Sequence, residues 1–471
     1  VASVRRTLVL KRPAARQEPR IPRRPADEAA PLSFGQEQIW LHSQLAPEAP
    51  LYTESLTIRR SGPLDPDALA TCFGEVVRRH EMWRTTLAWA DGHLIQRVDP
   101  GSEPRLRLAD LRRLPQDERE PSAVELAAED LRRPLDLFRE PGVRARLVTL
   151  SDSDHRLFLC LHHLVFDGIS IYRVFLPELA ALYEAKVSGV PCVLEEPPLQ
   201  YADFAHWQRR SVDEAALEQL AAYWRKQLAG APPMIDLPAD HPRPPRQSFR
   251  GGLVRLRFPG DLTAAARSTA PGEGCTLFML LLASFAATLH RWSGQTDMLI
   301  GSVSGGRDLP ELERVIGYFL RMLVVRTDLS GNPTFREIML RVREALLEAL
   351  CHDGLPFQRM VRALAPARDL SRSPLFQVTF SIEPPMPGLG PEWDITEMDA
   401  GAVASKFDLS LELEDRGEVI DVRAIYSVDL FEASTISRLL ADWRLVLGRA
   451  VFDPGQRLEE LVRSEDEAIP T

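Results

Sequence analysis

The stretch LHHLVFDGIS, residues 161–170, ends an apolar run with two imidazoles, a carboxyl and a glycine. A histidine titrates near neutral pH and can take or hold a proton there, so His162 and His163 are candidates for general acid–base work. Asp167 stands among apolar residues, and a buried carboxylate needs a cation or several donors. Gly168 removes a side chain where a ligand or a neighbouring backbone comes close. A structural reading competes with this one: one histidine is a satisfied hydrogen-bonding group, and Asp167 caps the helix that follows. The pattern by itself leaves both readings open.

These residues need elements to hold them. VRARLVTLSDSDHRLFLCLHH predicts a hairpin with its turn at Ser151-Asp152-Ser153-Asp154. Its second strand, Leu157 to Leu161, is apolar on both faces and belongs inside a covered sheet. After Gly168, Tyr172, Phe175, Leu179 and Leu182 form one helical stripe, with Pro177 in a first turn or at a kink. Upstream, Asp65 is a cap for a helix whose apolar positions are Leu69, Cys72, Phe73, Val76 and Val77. Pro-rich runs, PCVLEEPPLQ and GAPPMIDLPADHPRPPRQ, interrupt the chain. Between them Ser211-Val212-Asp213-Glu214 predicts a helix start with Ser211 as the cap. The second half predicts helices at 276–292, 334–350 and 432–450. It also predicts a hairpin turning at Asp415-Arg416-Gly417, in which Phe407, Leu409, Leu411 and Leu413 face a core and Asp408, Ser410, Glu412 and Glu414 face water.

A length of 471 residues, 45% hydrophobic and 26% charged, predicts a soluble globular protein of two units that mix α and β. A net charge of −10 argues against a nucleic-acid binder. CTLFMLLLASFAATLH is too short to span a bilayer and predicts a buried helix. The odd set of five cysteines, none at metal-ligand spacing, predicts no disulfides, no zinc and a cytoplasmic location. The start, VASVRRTLVLKRP, has no secretory pattern and no initiator Met, and reads as part of a longer chain. Residues 1–30, rich in Arg and Pro, are expected to be a linker.

His162-His163-x-x-x-Asp167-Gly168 resembles the HHxxxDG signature of nonribosomal peptide synthetase condensation domains, in the chloramphenicol acetyltransferase-like superfamily. Further motifs follow in family order: LSFGQEQIWLHSQL (32–45), RRHEMWRTTL (78–87), YADFAHW (201–207), VIGYFLRMLVVR (315–326), HDGLPFQ (352–358) and RDLSRSPLFQ (368–377). The resemblance covers almost the whole chain. It implies two acetyltransferase-like lobes in a V, residues 31–197 and 198–460, with a tunnel between them, crossover segments from the second lobe, and a C-terminal linker at 461–471. It implies an acyltransferase that joins a donor acyl or peptidyl thioester to the amine of an acceptor aminoacyl thioester. Both arrive on 4'-phosphopantetheine arms of carrier proteins, upstream and downstream, with an adenylation domain adjacent. No cofactor or metal belongs to the domain itself, which is expected to be monomeric when excised, and no membrane partner is implied.

By position, the resemblance makes His163 catalytic and His162 a support for the loop. Asp167 is expected to form a buried ion pair with Arg84, and Gly168 to leave room for the acceptor. Arg321 stands where the family has Asn, either in the tunnel or paired with a carboxylate such as Glu313; Trp207 and Ser33 are further tunnel candidates. His352-Asp353 and His80-Glu81 read as structural, as do His42, His206 and His290. Paired histidines differ from the aspartates of cyclisation domains. The later Glu motif of epimerisation domains and the extra His-rich motif of dual epimerising domains are not found. An ester-forming variant and a non-catalytic docking platform remain alternatives.

Overall fold

The computed structural model describes residues 21–25, 28–47, 49–98, 104–365, 369–384, 392–396 and 404–463. The N-terminal 20 residues and the tail from 464 lie outside them.

The first lobe is built on a five-stranded mixed sheet. Its order is Trp393–Thr396, Thr53–Ser61, Asp154–His162, Val143–Ser151, Leu106–Asp110. The predicted hairpin forms, and its second strand is the central one, which is why its residues are apolar on both faces. Helix Pro66–Arg79 covers the sheet. Asp65 caps it by accepting from Asp67 N and Ala68 N, and the stripe from Leu69 to Val77 is buried. A small sheet of Ala30–Pro31, His93–Val98 and Thr85–Ala90 flanks this lobe.

The second lobe carries a six-stranded sheet ordered Arg321–Asp328, Asp297–Ser304, Val378–Ile382, Leu409–Asp415, Ile420–Ser427, Gly251–Phe258. Helices Leu277–Ser293, Phe335–Cys351 and Ala433–Phe452 match the predicted ones to within a few residues. The apolar run from Cys275 is buried, as its composition requires, and among the described residues no single helix is long and apolar enough to cross a membrane.

The lobes interlock. Strand Trp393–Thr396 leaves the second lobe to pair antiparallel with Thr53–Ser61 of the first. Leu312, Val315, Ile316, Tyr318 and Phe319 pack into the first core. Helix Tyr201–Arg210, expected to open the second lobe, also packs there through Tyr201, Phe204 and Ala205. Its apolar face matches the first core, so the chain changes lobes later than residue 197. Part of the expected linker is packed too: Ile21 is buried, and Arg24 N donates to Asp203 at 3.1 Å. Helix Glu214–Gln227 is capped by Asp213 rather than Ser211, because the Asp213 carboxylate reaches Ala215 N and Ala216 N. The alternating face Ser410, Glu412 and Glu414 does not meet open solvent as expected; all three line a cavity between the lobes.

Candidate active site

The central strand delivers His162 and His163 to its end, where a short 3₁₀ turn, His163–Val165, breaks the ladder. The break separates the two imidazoles. His162 turns inward, and its Nδ1 accepts from Leu164 N at 3.2 Å, capping the turn. Burial, then the neighbouring His163 and Lys406, push its pKa down to about 3. His162 is therefore a neutral acceptor that shapes the loop.

His163 faces the cavity. Its Nδ1 lies 3.0 Å from Phe166 O. A carbonyl only accepts, so Nδ1 carries the hydrogen and Nε2 presents its lone pair. The ring stacks on Phe166 at 4.9 Å between centroids and meets Tyr318 edge-on at 5.1 Å. These contacts fix the plane of the ring before any substrate arrives. Glu54 Oε1, from the neighbouring strand, lies 3.7 Å from Nε2. Burial pushes the Glu54 carboxyl up, but His163, Lys406 and Arg423 outweigh it and hold it below its ordinary value.

Asp167 does not pair with Arg84. Arg84 donates instead to Val77 O and Arg78 O at 3.2 and 3.0 Å, closing the C-terminal end of helix Pro66–Arg79. The partner of Asp167 is Arg307, 140 positions along the chain, with Nη2 at 2.9 and 3.2 Å from the two carboxylate oxygens. Asp167 is fully buried and the Arg307 side chain is 4% exposed. Ser170 N, Ser170 Oγ and Phe319 N complete the carboxylate's donors at 2.7, 2.8 and 3.1 Å. Arg307 in turn donates to Leu312 O and Val315 O and lies over the Phe319 ring at 4.0 Å. The pair ties the loop behind His163 to segment 312–319 of the other half of the chain. Gly317 is required where that segment crosses Tyr201: a Cβ there would lie 1.9 Å from the Tyr201 ring.

Gly168 borders the cavity beside His163, but the space where its side chain would lie is taken. A Cβ at Gly168 would come within 2.4 Å of Glu383 Oε2. Glu383 had no motif to flag it in the sequence. Burial first, then Glu412 and Glu54, push its pKa up to about 8.

The cavity holding these groups measures about 2680 Å³. Both lobes line it: Glu54, His163, Gly168 and Tyr172 from the first, and Phe278, Phe357, Glu383 and Glu412 from the second. The candidates Arg321, Trp207 and Ser33 border a separate cavity of about 300 Å³. Ser33 is buried as the cap of helix Phe34–Ser43, with its Oγ 2.7 Å from Tyr201 Oη. Arg321 pairs with Asp308 at 2.7 Å and Asp353 at 3.1 Å, not with Glu313. His352 and Asp353 diverge, one stacking on Tyr223 at 3.5 Å and the other engaging Ser304 and Arg321. His80 meets Glu178 at 3.0 Å inside the first lobe. His206 contacts Glu28 at 2.6 Å, and His290 the Gln295 carbonyl at 2.9 Å. His42 lines the large cavity, hydrogen-bonded to Tyr52 Oη at 2.8 Å.

Two lobes joined by a crossing strand, with a histidine presented to the cavity between them, define an acyltransferase-like architecture. The condensation-domain family model matches residues 26–468, and the chain belongs to the condensation domains of nonribosomal peptide synthetases, with a chloramphenicol acetyltransferase-like fold. Over 96% of its length it is 39% identical to part of the linear gramicidin synthase of Brevibacillus parabrevis. Over 96% it is also 40% identical to phosphinothricin tripeptide synthetase PhsC of Streptomyces viridochromogenes. It spans 6% and 42% of the length of those relatives. Among solved structures, the X-domain from teicoplanin biosynthesis matches with a TM-score of 0.80 and 30% identity over 94% of this chain and 99% of that one. The first condensation domain of the calcium-dependent antibiotic synthetase shares the fold, at a TM-score of 0.78 and 22% identity over 92% and 99%.

Proposed function

We propose that the chain forms an amide bond between a donor acyl or peptidyl thioester and the amine of an acceptor aminoacyl thioester, each presented by a carrier protein on a phosphopantetheine arm. The observation that carries this reading is the fixed tautomer of His163, whose Nε2 lone pair faces a cavity shared by both lobes. In the reaction the acceptor nitrogen attacks the thioester carbonyl carbon. The C–N bond forms, the C–S bond breaks, and the sulfur leaves as a thiolate that takes up a proton. The nitrogen must lose a proton, and His163 Nε2 accepts it while Nδ1–H stays bound to Phe166 O. The imidazolium so formed faces the Glu54 carboxylate at 3.7 Å. A cavity that holds both thioesters together also removes the translational cost of their meeting.

The test is reconstitution with donor- and acceptor-loaded carriers, read by mass spectrometry. The wild type is expected to release the condensed product, and His163→Ala to lower its rate by about 10²–10⁴-fold. A hydroxyacyl acceptor in the same assay separates amide from ester formation. One observation favours a second reading, a docking platform: the X-domain neighbour is also seen in complex with OxyB. A stable partner complex with no product from any carrier pair would favour it.

A further inference from the structure

Resting on the amide-forming reading above, we propose that Glu383 is a substrate-contacting residue that holds the acceptor nitrogen beside His163 and makes the site prefer an amine over a hydroxyl. Glu383 follows directly on strand Val378–Ile382, and its own N–H donates to Leu413 O at 2.7 Å, so its backbone is held by the sheet. Its carboxyl crosses to the other lobe and lies against Gly168, five residues from His163, in the position a Cβ would occupy. Glycine at 168 thus admits a carboxylate from the opposite lobe into the wall of the site. The side chain lines the same cavity as His163 and is partly buried.

Among the described residues, the Glu383 carboxyl makes no hydrogen bond and no ion pair. The charged groups around it are committed elsewhere. Glu412 is 3.2 Å from Arg423, Asp167 is tied to Arg307, and Lys406 lies over the Tyr52 ring at 4.7 Å. Glu54, on the facing strand, sits 3.7 Å from His163 Nε2. An enclosed carboxyl with no partner is costly, and a ligand N–H or ammonium is the group that satisfies it. An amine offers several N–H donors and, when protonated, a charge. It can meet Glu383 and Glu54 and still turn toward Nε2. A hydroxyl has one hydrogen and no charge, and cannot do all three. Burial and the nearby Glu412 and Glu54 raise Glu383 to about 8; an arriving ammonium is the counter-charge that restores its ionisation.

The test uses two hydrolysis-resistant probes, L-alanyl and L-lactyl groups on aminopantetheine through an amide, which differ only in NH₂ against OH. Calorimetric affinities are measured for the wild type, Glu383→Gln, Glu383→Ala and His163→Ala. The wild type is expected to prefer the alanyl probe about tenfold, a difference of about 1.4 kcal/mol. Glu383→Gln, which keeps the shape that fills the space over Gly168, should reduce that preference to less than twofold. Glu383→Ala should do the same. Equal wild-type affinity for both probes, no measurable binding of either, or a preference that survives in Glu383→Gln would overturn the proposal. His163→Ala should keep the binding preference. Loss of condensation in that variant tests the parent reading separately, and a wild type that binds with preference but forms no product with loaded carriers would overturn only the catalytic reading.

Discussion

Replacing Arg307 by Met removes the cation from a fully buried carboxylate while keeping most of the side chain's length. Asp167 would retain Ser170 N, Ser170 Oγ and Phe319 N but lose both guanidinium contacts. Breaking a buried pair at one partner costs about 3–5 kcal/mol, because the remaining charge is stranded. The upper half of that range is expected here, since Leu312 O and Val315 O lose their donor and Phe319 loses the cation stacked on it. Arg84→Ala removes two hydrogen bonds to carbonyls at a helix end and should cost about 0.5–1.5 kcal/mol. Urea unfolding followed by tryptophan fluorescence and by circular dichroism measures both, with coincidence of the two probes as the check on two-state behaviour. A double-mutant cycle then identifies the partner. Asp167→Asn should rescue much of the Arg307→Met loss, with a coupling of about 2–3 kcal/mol, whereas Asp167→Asn and Arg84→Ala should add to within about 0.5 kcal/mol. Hydrogen exchange in segment 312–320 should rise in Arg307→Met, because the pair anchors the stretch that sets Tyr318 against His163. A loss below about 1 kcal/mol in Arg307→Met, or stronger coupling of Asp167 to Arg84, would refute this account of the loop.

Four further outcomes follow from named contacts. His162→Ala should slow condensation far less than His163→Ala, since His162 only caps a turn; equal losses in a carrier-loaded assay would contradict the division of roles. Arg321→Asn removes a cation shared by Asp308 and Asp353, so it should lower the melting temperature and leave the preference between two donors within about twofold; a switched preference would return Arg321 to the substrate path. The raised pKa of Glu383 makes the folded state bind more protons than the unfolded one from the ordinary carboxyl range up to about pH 8, so this group costs stability as pH rises through that window. Glu383→Gln should therefore melt above the wild type at pH 8 and lose most of that advantage at pH 5, as read by calorimetry. Glu178 behaves oppositely. Burial pushes it up, but hydrogen bonds from His80 and Arg79 outweigh this, so its stabilisation is present above the ordinary carboxyl range and lost as pH falls through its depressed pKa; Glu178→Gln should flatten the acid limb of stability.

The elements were legible because each is written locally. The hairpin around Ser151–Asp154, the Asp65 cap and the helix stripes depend on residues a few positions apart, and the structure keeps them. The partner of Asp167 was not legible in the same way. Arg84 and Arg307 are both arginines in family-like stretches, and nothing in spacing tells which one reaches a carboxylate 83 or 140 positions away. The fold decides it: segment 305–320 crosses to the first core, while Arg84 is spent on the end of its own helix. The same crossing explains Glu412 and Glu414. Their alternation with Leu411 and Leu413 reads as a wet face, and it is one, but the water is that of a cavity enclosed by the opposite lobe. Glu383 was missed for a related reason. A lone glutamate after a strand is an unremarkable surface residue until a second lobe brings Gly168 against it. Wherever two lobes share a site, periodicity reports which side of a strand is polar but not what faces it. A polar alternation in a strand of one lobe, beside a glycine motif of the other, is the pattern that marks such hidden site residues.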